Sequence, residues 1–221
     1  MKDLEAIKER HSVRNYEDKP IEASLVKKLE QLIGECNAKG NLHMQLITEE
    51  AGAFQSLIPA FGRFKGVKNY IALVAEKRPG VREACGYYGE KIVLFAHKNG
   101  LHTCWVSGSY NKKKCRAQIG GDEELLCLIA IGYGKNTGKP HKTKSLEQVC
   151  SLTSDEWFKQ GVHAALLAPT GMNRQDFYFR AEGDKVMATS TTDSPLSEIS
   201  LGIVKYHFEI GSGKKCFGYA D

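Results

Sequence analysis

The chain has 221 residues, 42% of them hydrophobic and 26% charged, which is ordinary globular usage and excludes disorder. No apolar run reaches the roughly 18 residues of a membrane span, and Met1 to Arg10 lacks the apolar core of a secretory signal. The net charge of +5 suits an anionic ligand as readily as nucleic acid, and the seven cysteines are odd in number with no Cys-x-x-Cys. That count argues for reduced thiols in a cytoplasm rather than a disulfide framework.

In chain order, Met1 to Glu9 reads as a short helix with Leu4 and Ile7 on one face. Arg10 to Arg14 follows, and helical spacing of Leu25, Val26, Leu29, Leu32, Ile33 and Cys36 predicts a helix from about Glu22. Asn37 to Asn41 is expected to break it before a strand at Leu42 to Thr48. A second strand is predicted at Tyr70 to Ala75, then a helix from about Tyr87 to Asn99 with Gly100 as its cap. His102 to Val106 and Leu125 to Ile131 are further β-rich runs, and the basic stretch Gly132 to Ser145 reads as a linker.

Beyond the linker, Thr153 and Glu156 have capping-box spacing for a helix running to about Ala168 before Pro169. Phe177 to Ala181 and Lys185 to Thr189 form a predicted hairpin around Glu182-Gly183-Asp184. Ser194-Pro195 opens a last helix ending near Gly211, and Lys215 to Tyr219 is expected to close the chain as a strand. Helix, break and strand recur in both parts, and Ile92-Val93 is echoed by Ile203-Val204. This divides the chain into related parts at 1–150 and 151–221, a duplication that would make one chain a pseudo-dimer.

Three segments carry candidate chemistry. Arg10-His11-Ser12-Val13-Arg14 packs two guanidinium groups, an imidazole and a hydroxyl together; arginine forks match phosphate oxygens, though the five residues also fit a solvated helix end. In Ala168-Pro169-Thr170-Gly171-Met172-Asn173-Arg174-Gln175, proline and glycine expose backbone while Thr170, Asn173 and Gln175 offer hydrogen bonds suited to a flat heterocycle. Gly100 to Gly108 joins a helix to a strand and breaks at Ser107-Gly108, where backbone can approach a ligand closely. Lys139, His141, Lys142 and Lys144 add a basic cluster.

Taken together these segments resemble the nitroreductase family, in the variety with internally duplicated halves. The family's Arg-(Arg/His)-Ser-x-(Arg/Lys) opening is matched by Arg10 to Arg14, its Gly-Leu-x-x-Cys-Trp segment by Leu101 to Trp105, and its late basic segment before a Leu-Glu pair by Lys142-Thr143-Lys144. Its Ala-Pro-Ser-x-x-Asn-x-Gln-Pro-Trp loop resembles Ala168 to Phe177, with Thr170 for Ser and Asp176-Phe177 for Pro-Trp. The order departs from the ordinary pattern. The loop that should follow the first motif has lost its proline at Cys36 to Gln45, and the intact copy stands in 151–221.

The resemblance implies an α+β fold of mainly antiparallel sheets flanked by helices. It implies FMN as cofactor and NAD(P)H as co-substrate, with hydride passed through flavin N5 to a small acceptor by ping-pong turnover. Arg10, His11, Ser12, Lys142 and Lys144 would bind the phosphate side, and Arg14 the N1–C2 edge. Ser107 or Gly108 would meet N5, while Trp105, Pro169, Thr170 and Asn173 would bound the ring. No metal, no nucleic acid and no side-chain acid or base is required; the protein would act as a monomeric pseudo-dimer or a homodimer. A non-catalytic flavin carrier is the alternative. Gly134 to Lys139 is one residue short of a P-loop and has Pro140 where Ser or Thr belongs, and the glycines after Ile131 miss the dinucleotide spacing.

Overall fold

In the computed structural model the described residues are 1–55, 64–151, 153, 155–183 and 185–219. Their contacts form two compact units that interleave along the chain. One comprises Arg10–Val81 and Phe95–Lys139, and the other Met1–Glu9, Arg82–Leu94 and Pro140–Asp221. They are described separately as the sheet unit and the helical unit.

The sheet unit holds helix α2 (Ala23–Gly40) and strands β1 (Gln45–Ile47), β2 (Tyr70–Glu76), β3 (His102–Val106) and β4 (Glu123–Gly132). The strands lie in the order β1-β2-β4-β3, antiparallel throughout. β2 is buried at every position but its last, and β4 from Cys127 onward. Such continuous apolar strands are hidden on both faces, which alternation alone would not reveal. Asn37 does not break α2 as expected. Its carboxamide donates to Met44 O at 2.9 Å and accepts from Met44 N at 2.8 Å, so its side chain replaces a backbone partner while its own backbone stays helical. The helix stops at Asn41, which takes the left-handed conformation that ends many helices. β1 is correspondingly shorter than predicted.

The helical unit contains α1 (Asp3–Glu9), the 82–94 part of α3 (Val81–Lys98), α4 (Glu156–Leu166), the hairpin β5 (Phe177–Glu182) with β6 (Lys185–Ser190), and α5 (Pro195–Ser212). In the expected hairpin turn, Asp184 falls outside the described residues. α3 begins six residues before the predicted start, because Gly80 in the left-handed region opens it at Val81. α4 is capped at Asp155 without the expected Thr153–Glu156 box. α5 has Pro at its first turn and a Ser194–Ser197 capping box, and it runs past Gly211 to a left-handed Gly213.

α5 touches its neighbours through glycine. A Cβ on Gly86 of α3 would collide with Ile199 O, and one on Gly202 of α5 would meet Glu83 O and stand 2.7 Å from Tyr87 N. Lys205 Nζ, 2.6 Å from Glu83 Oε1, clamps the same contact. On α4, a Cβ at Gly161 would lie 2.6 Å from the Phe208 ring, and one at Gly211 would lie 2.5 Å from Ala164 Cβ. Phe208 also stacks on Phe179 of β5 at 4.8 Å and meets Phe158 edge-on at 5.6 Å. Next to it the fully buried His207 has Nδ1 3.1 Å from Ala164 O and Nε2 2.9 Å from Glu90 Oε1. A carbonyl only accepts, so Nδ1 carries a proton and Nε2 faces the Glu90 carboxyl.

Lys215 to Tyr219 is not a strand. The amides of Cys216 and Phe217 donate to Glu209 Oε1 at 2.7 and 3.0 Å, so a buried carboxylate meets the need a sheet neighbour would have met. Tyr219 stacks on Tyr87 at 4.0 Å. No helix among the described residues is long and apolar enough to cross a membrane.

Because both backbones occupy the space a side chain would need, Gly202→Ala should cost about 3 kcal/mol. Its melting temperature should fall by about 6–10 °C. An unchanged calorimetric midpoint would show that α3 and α5 are not in backbone contact.

Candidate functional site

Arg10 to Arg14 leaves α1 as extended chain, not as the solvated helix end that the five residues alone allowed. Ser12 bridges Thr103 in parallel, and Val13 N donates to Thr103 O at 3.0 Å. On the other side Tyr16 bridges Gly134, while Lys135 N donates to Asn15 O at 2.9 Å. The motif is thus held between β3 and the segment after β4. Gly138 sits directly on it: an added Cβ would lie 2.8 Å from His11 Cβ and 2.9 Å from Ser12 O, so only glycine fits that approach. The Gly134 amide donates to His102 Nδ1 at 3.2 Å, which places that imidazole's proton on Nε2. Burial pushes the His102 pKa down, with Glu17 opposing.

Arg10 is buried, His11 and Ser12 are half-buried, and Arg14 is exposed. Arg10, Ser12 and Arg14 all act on Cys104. Burial pushes its thiol up, and the charge of Arg14, the Ser12 hydroxyl and the charge of Arg10 pull it back. Thr103, only 1% exposed, has a hydroxyl that meets no hydrogen-bond partner among the described residues. Two guanidinium groups and two hydroxyls at the start of one strand form a donor set that fits an oxyanion. At the strand's other end Ser107 and Gly108 are exposed, and a Cβ on Gly108 would touch nothing within 4 Å. From Thr103 to Ser107 the strand spans about 13 Å. Trp105 lies between them, half-buried.

The helical unit brings together the other segments. Lys144 N donates to Gln175 Oε1 at 2.8 Å, and Gln175 Nε2 donates to Lys142 O at 2.9 Å. Asn173 Nδ2 donates to the same carbonyl at 2.9 Å, and Lys144 Nζ donates to Gln175 O at 3.0 Å. Gln175 N in turn donates to Thr170 Oγ1 at 3.1 Å, and Gly171 N to Ser200 Oγ of α5 at 3.1 Å. The basic segment and the Pro-Thr-Gly turn are therefore one piece of structure, pinned by a carboxamide that is 3% exposed. Upstream of the turn, His141 Nε2 meets Leu166 O at 2.9 Å. Pro169 and Thr170 are half-buried beside it.

Sequence reasoning quoted Gln175 within its loop but did not assign it, and it gave no place to Gly138, Thr103 or Ser200. For Gln175 a signal existed, since an amide two residues before the apolar run Phe177 to Phe179 must find partners when buried. Gly138 and Ser200 carried none, because their partners lie more than a hundred and nearly thirty residues away along the chain.

The sequence pattern of a family described as "Putative TM nitroreductase" matches residues 3–212. The chain belongs to that family. Family membership makes it an enzyme of the oxidoreductase class. Among solved structures, this nitroreductase-family chain is similar to a "putative nitroreductase" of Thermotoga maritima, with a TM-score of 0.72 and 22% identity over 96% of this chain and 83% of that one. It is also similar to a "Putative NADH dehydrogenase/NAD(P)H nitroreductase" of Parabacteroides distasonis, TM-score 0.54, 19% identical over 66% and 95%. A third is the "FMN and NADPH-dependent nitroreductase NfnB", in mutant form, of a Sphigopyxis species, TM-score 0.55, 16% identical over 70% and 100%. These likenesses speak for the fold, an α+β arrangement of antiparallel sheets with flanking helices.

Truncating Gln175 to alanine strands the Lys144 amide and removes one of the two donors to the Lys142 carbonyl, leaving Asn173 Nδ2 in place. The expected loss is about 1–3 kcal/mol, from one buried amide left unpaired. Urea denaturation of Gln175→Ala against wild type reads it, and a loss below about 0.5 kcal/mol would show the network to be solvent-exposed in solution.

Proposed function

We propose that the chain is an FMN-dependent oxidoreductase that takes hydride from NAD(P)H and passes it, by ping-pong turnover, to a small organic acceptor such as a nitroaromatic or quinone. The observation that carries this reading is the Ser12–Thr103 bridge, which seats Arg10 to Arg14 beside the strand that ends at Ser107-Gly108. It occurs in a chain of a nitroreductase family, and the FMN and NADPH dependence of the Sphigopyxis enzyme supports the choice of cofactor and electron donor.

When bound, the flavin supplies hydride uptake and delivery at N5, so the residues' task is to bind and polarise rather than to move protons. Arg10 and Ser12, with His11 beside them, would take phosphate oxygens. Lys142 and Lys144 would add positive charge for the phosphate, and Lys144 has two Nζ protons to offer after its bond to Gln175 O. Arg14 would supply a fixed cation for the N1–C2 edge, where reduction adds negative charge. A backbone amide of Ser107 or Gly108 would donate to N5. Trp105, Pro169 and Thr170 would bound the ring, and Asn173, whose carboxamide braces the loop against Lys142, would set the loop's position.

The element order supports two related halves at 1–150 and 151–221. α2–β1–β2–α3 and α4–β5–β6–α5 each run helix, strand, antiparallel strand, helix, and both closing helices have 18 residues. On this reading one chain carries one complete site and works in the cytoplasm as a monomeric pseudo-dimer or as a homodimer.

Purified protein should be yellow and should bleach anaerobically on adding NADH or NADPH. Arg14→Ala should lower flavin content or slow reduction about a hundredfold. Colourless protein overturns the proposal. Yellow protein that neither nicotinamide bleaches would be a carrier and not an enzyme.

A further inference from the structure

Met172 stands out within the turn that joins α4 to β5. Its side chain is 72% exposed, and its backbone is left-handed at φ 54° and ψ 23°. Among the described residues no other exposed large hydrophobic residue has a positive φ. Asn173 and Gln175 are left-handed as well, at φ 55° and 52°. Asparagine tolerates that region, but methionine has no local hydrogen bond to offset the crowding of its Cβ. One residue thus carries two unfavourable features, a strained backbone and bare apolar surface, and glycine would remove both.

The turn does not relax because it is over-determined from beneath. Gln175 ties it to Lys142 and Lys144, and Ser200 Oγ holds the Gly171 amide. Strain that the surroundings enforce is a pointer to function. What the arrangement achieves is to hold a thioether out into solvent, two residues after Thr170 and one before Asn173. A methionine there offers soft, adaptable contact to the face or edge of an aromatic ring and little to a strongly hydrated anion.

We infer that Met172 is a specificity-determining residue that contacts the electron acceptor and selects ring-bearing acceptors over hydrated ionic ones. The inference rests on the flavin reading above and adds to it the residue that discriminates among acceptors. Pro169 and Thr170, both half-buried, are assigned to the flavin ring rather than to the acceptor.

The test uses flavin-loaded protein in three forms: wild type, Met172→Gly and Met172→Leu. Steady-state KM is measured for a neutral nitroaromatic and for ferricyanide, with flavin content and melting temperature recorded for each form. The ratio of the nitroaromatic KM to the ferricyanide KM should rise about tenfold in Met172→Gly, the size of one lost apolar contact, and return most of the way in Met172→Leu. Met172→Gly should also melt at or above the wild-type temperature, because its strain is relieved. Flavin-loaded protein whose KM ratio does not move overturns this inference alone. An unmoved ratio with concentration-dependent association lost in Met172→Gly would instead assign the side chain to a contact between chains. Protein that takes up no flavin overturns both this inference and the function on which it rests.

Discussion

How closely α5 approaches α3 and α4 is the constraint on which the helical unit depends. At Gly86 and Gly202 two helix backbones meet with no side chain between them. At Gly161 and Gly211 an aromatic ring and an alanine fill the space that a Cβ would have taken. Such contacts are gained only if all four positions lack a Cβ, and each then adds close-packed dispersion over a long helix face. The consequence reaches the candidate site. His207 holds the carbonyl of Ala164 in the last turn of α4, and His141 holds that of Leu166, so the chain enters Ala168 to Gln175 from a fixed direction. A turn with three left-handed residues needs such an anchor, because its own backbone preference would take it elsewhere.

The two constellations solve one problem in the same way. Each carries cationic side chains, and in each the backbone that bears them is positioned by neutral hydrogen bonds. In the sheet unit the bridge from Ser12 to Thr103 and the close approach of Gly138 fix the backbone that bears Arg10 and Arg14. In the helical unit the Gln175 carboxamide fixes Lys142 and Lys144. In the helical unit an acidic partner would neutralise the charge that an anionic ligand needs, whereas the Gln175 amide orients the chain without doing so. Glu90 instead meets His207, and Glu209 receives the amides of Cys216 and Phe217.

Much of the architecture was legible in the amino-acid order. β2, β3 and β4 appear as apolar β-rich runs, and the Ser194-Pro195 start of α5 is a local signal that the structure retains. The failures share a cause. Asn37 reads as a breaker, yet it remains helical because Met44, seven residues on, accepts its carboxamide. Lys215 to Tyr219 reads as a strand by composition, yet its amides are met by Glu209. In both cases a side chain supplied what sequence patterns attribute to backbone, and pattern reasoning has no term for that.

By itself the sequence determined which chemistry is present: the Arg10 to Arg14 donors, the exposed Ser107-Gly108 break, and the Pro-Thr-Gly turn with its amides, all of them local combinations of residue type. Only the tertiary structure decided how these are held. The pairing of Ser12 with Thr103, the fit of Gly138 onto His11, and the tie from Gln175 to Lys142 and Lys144 join positions far apart in the chain. The strain at Met172 likewise exists only because those distant bonds forbid the turn to relax. Residue types fix what a segment can bond to; the packed backbone selects which of the available partners it meets.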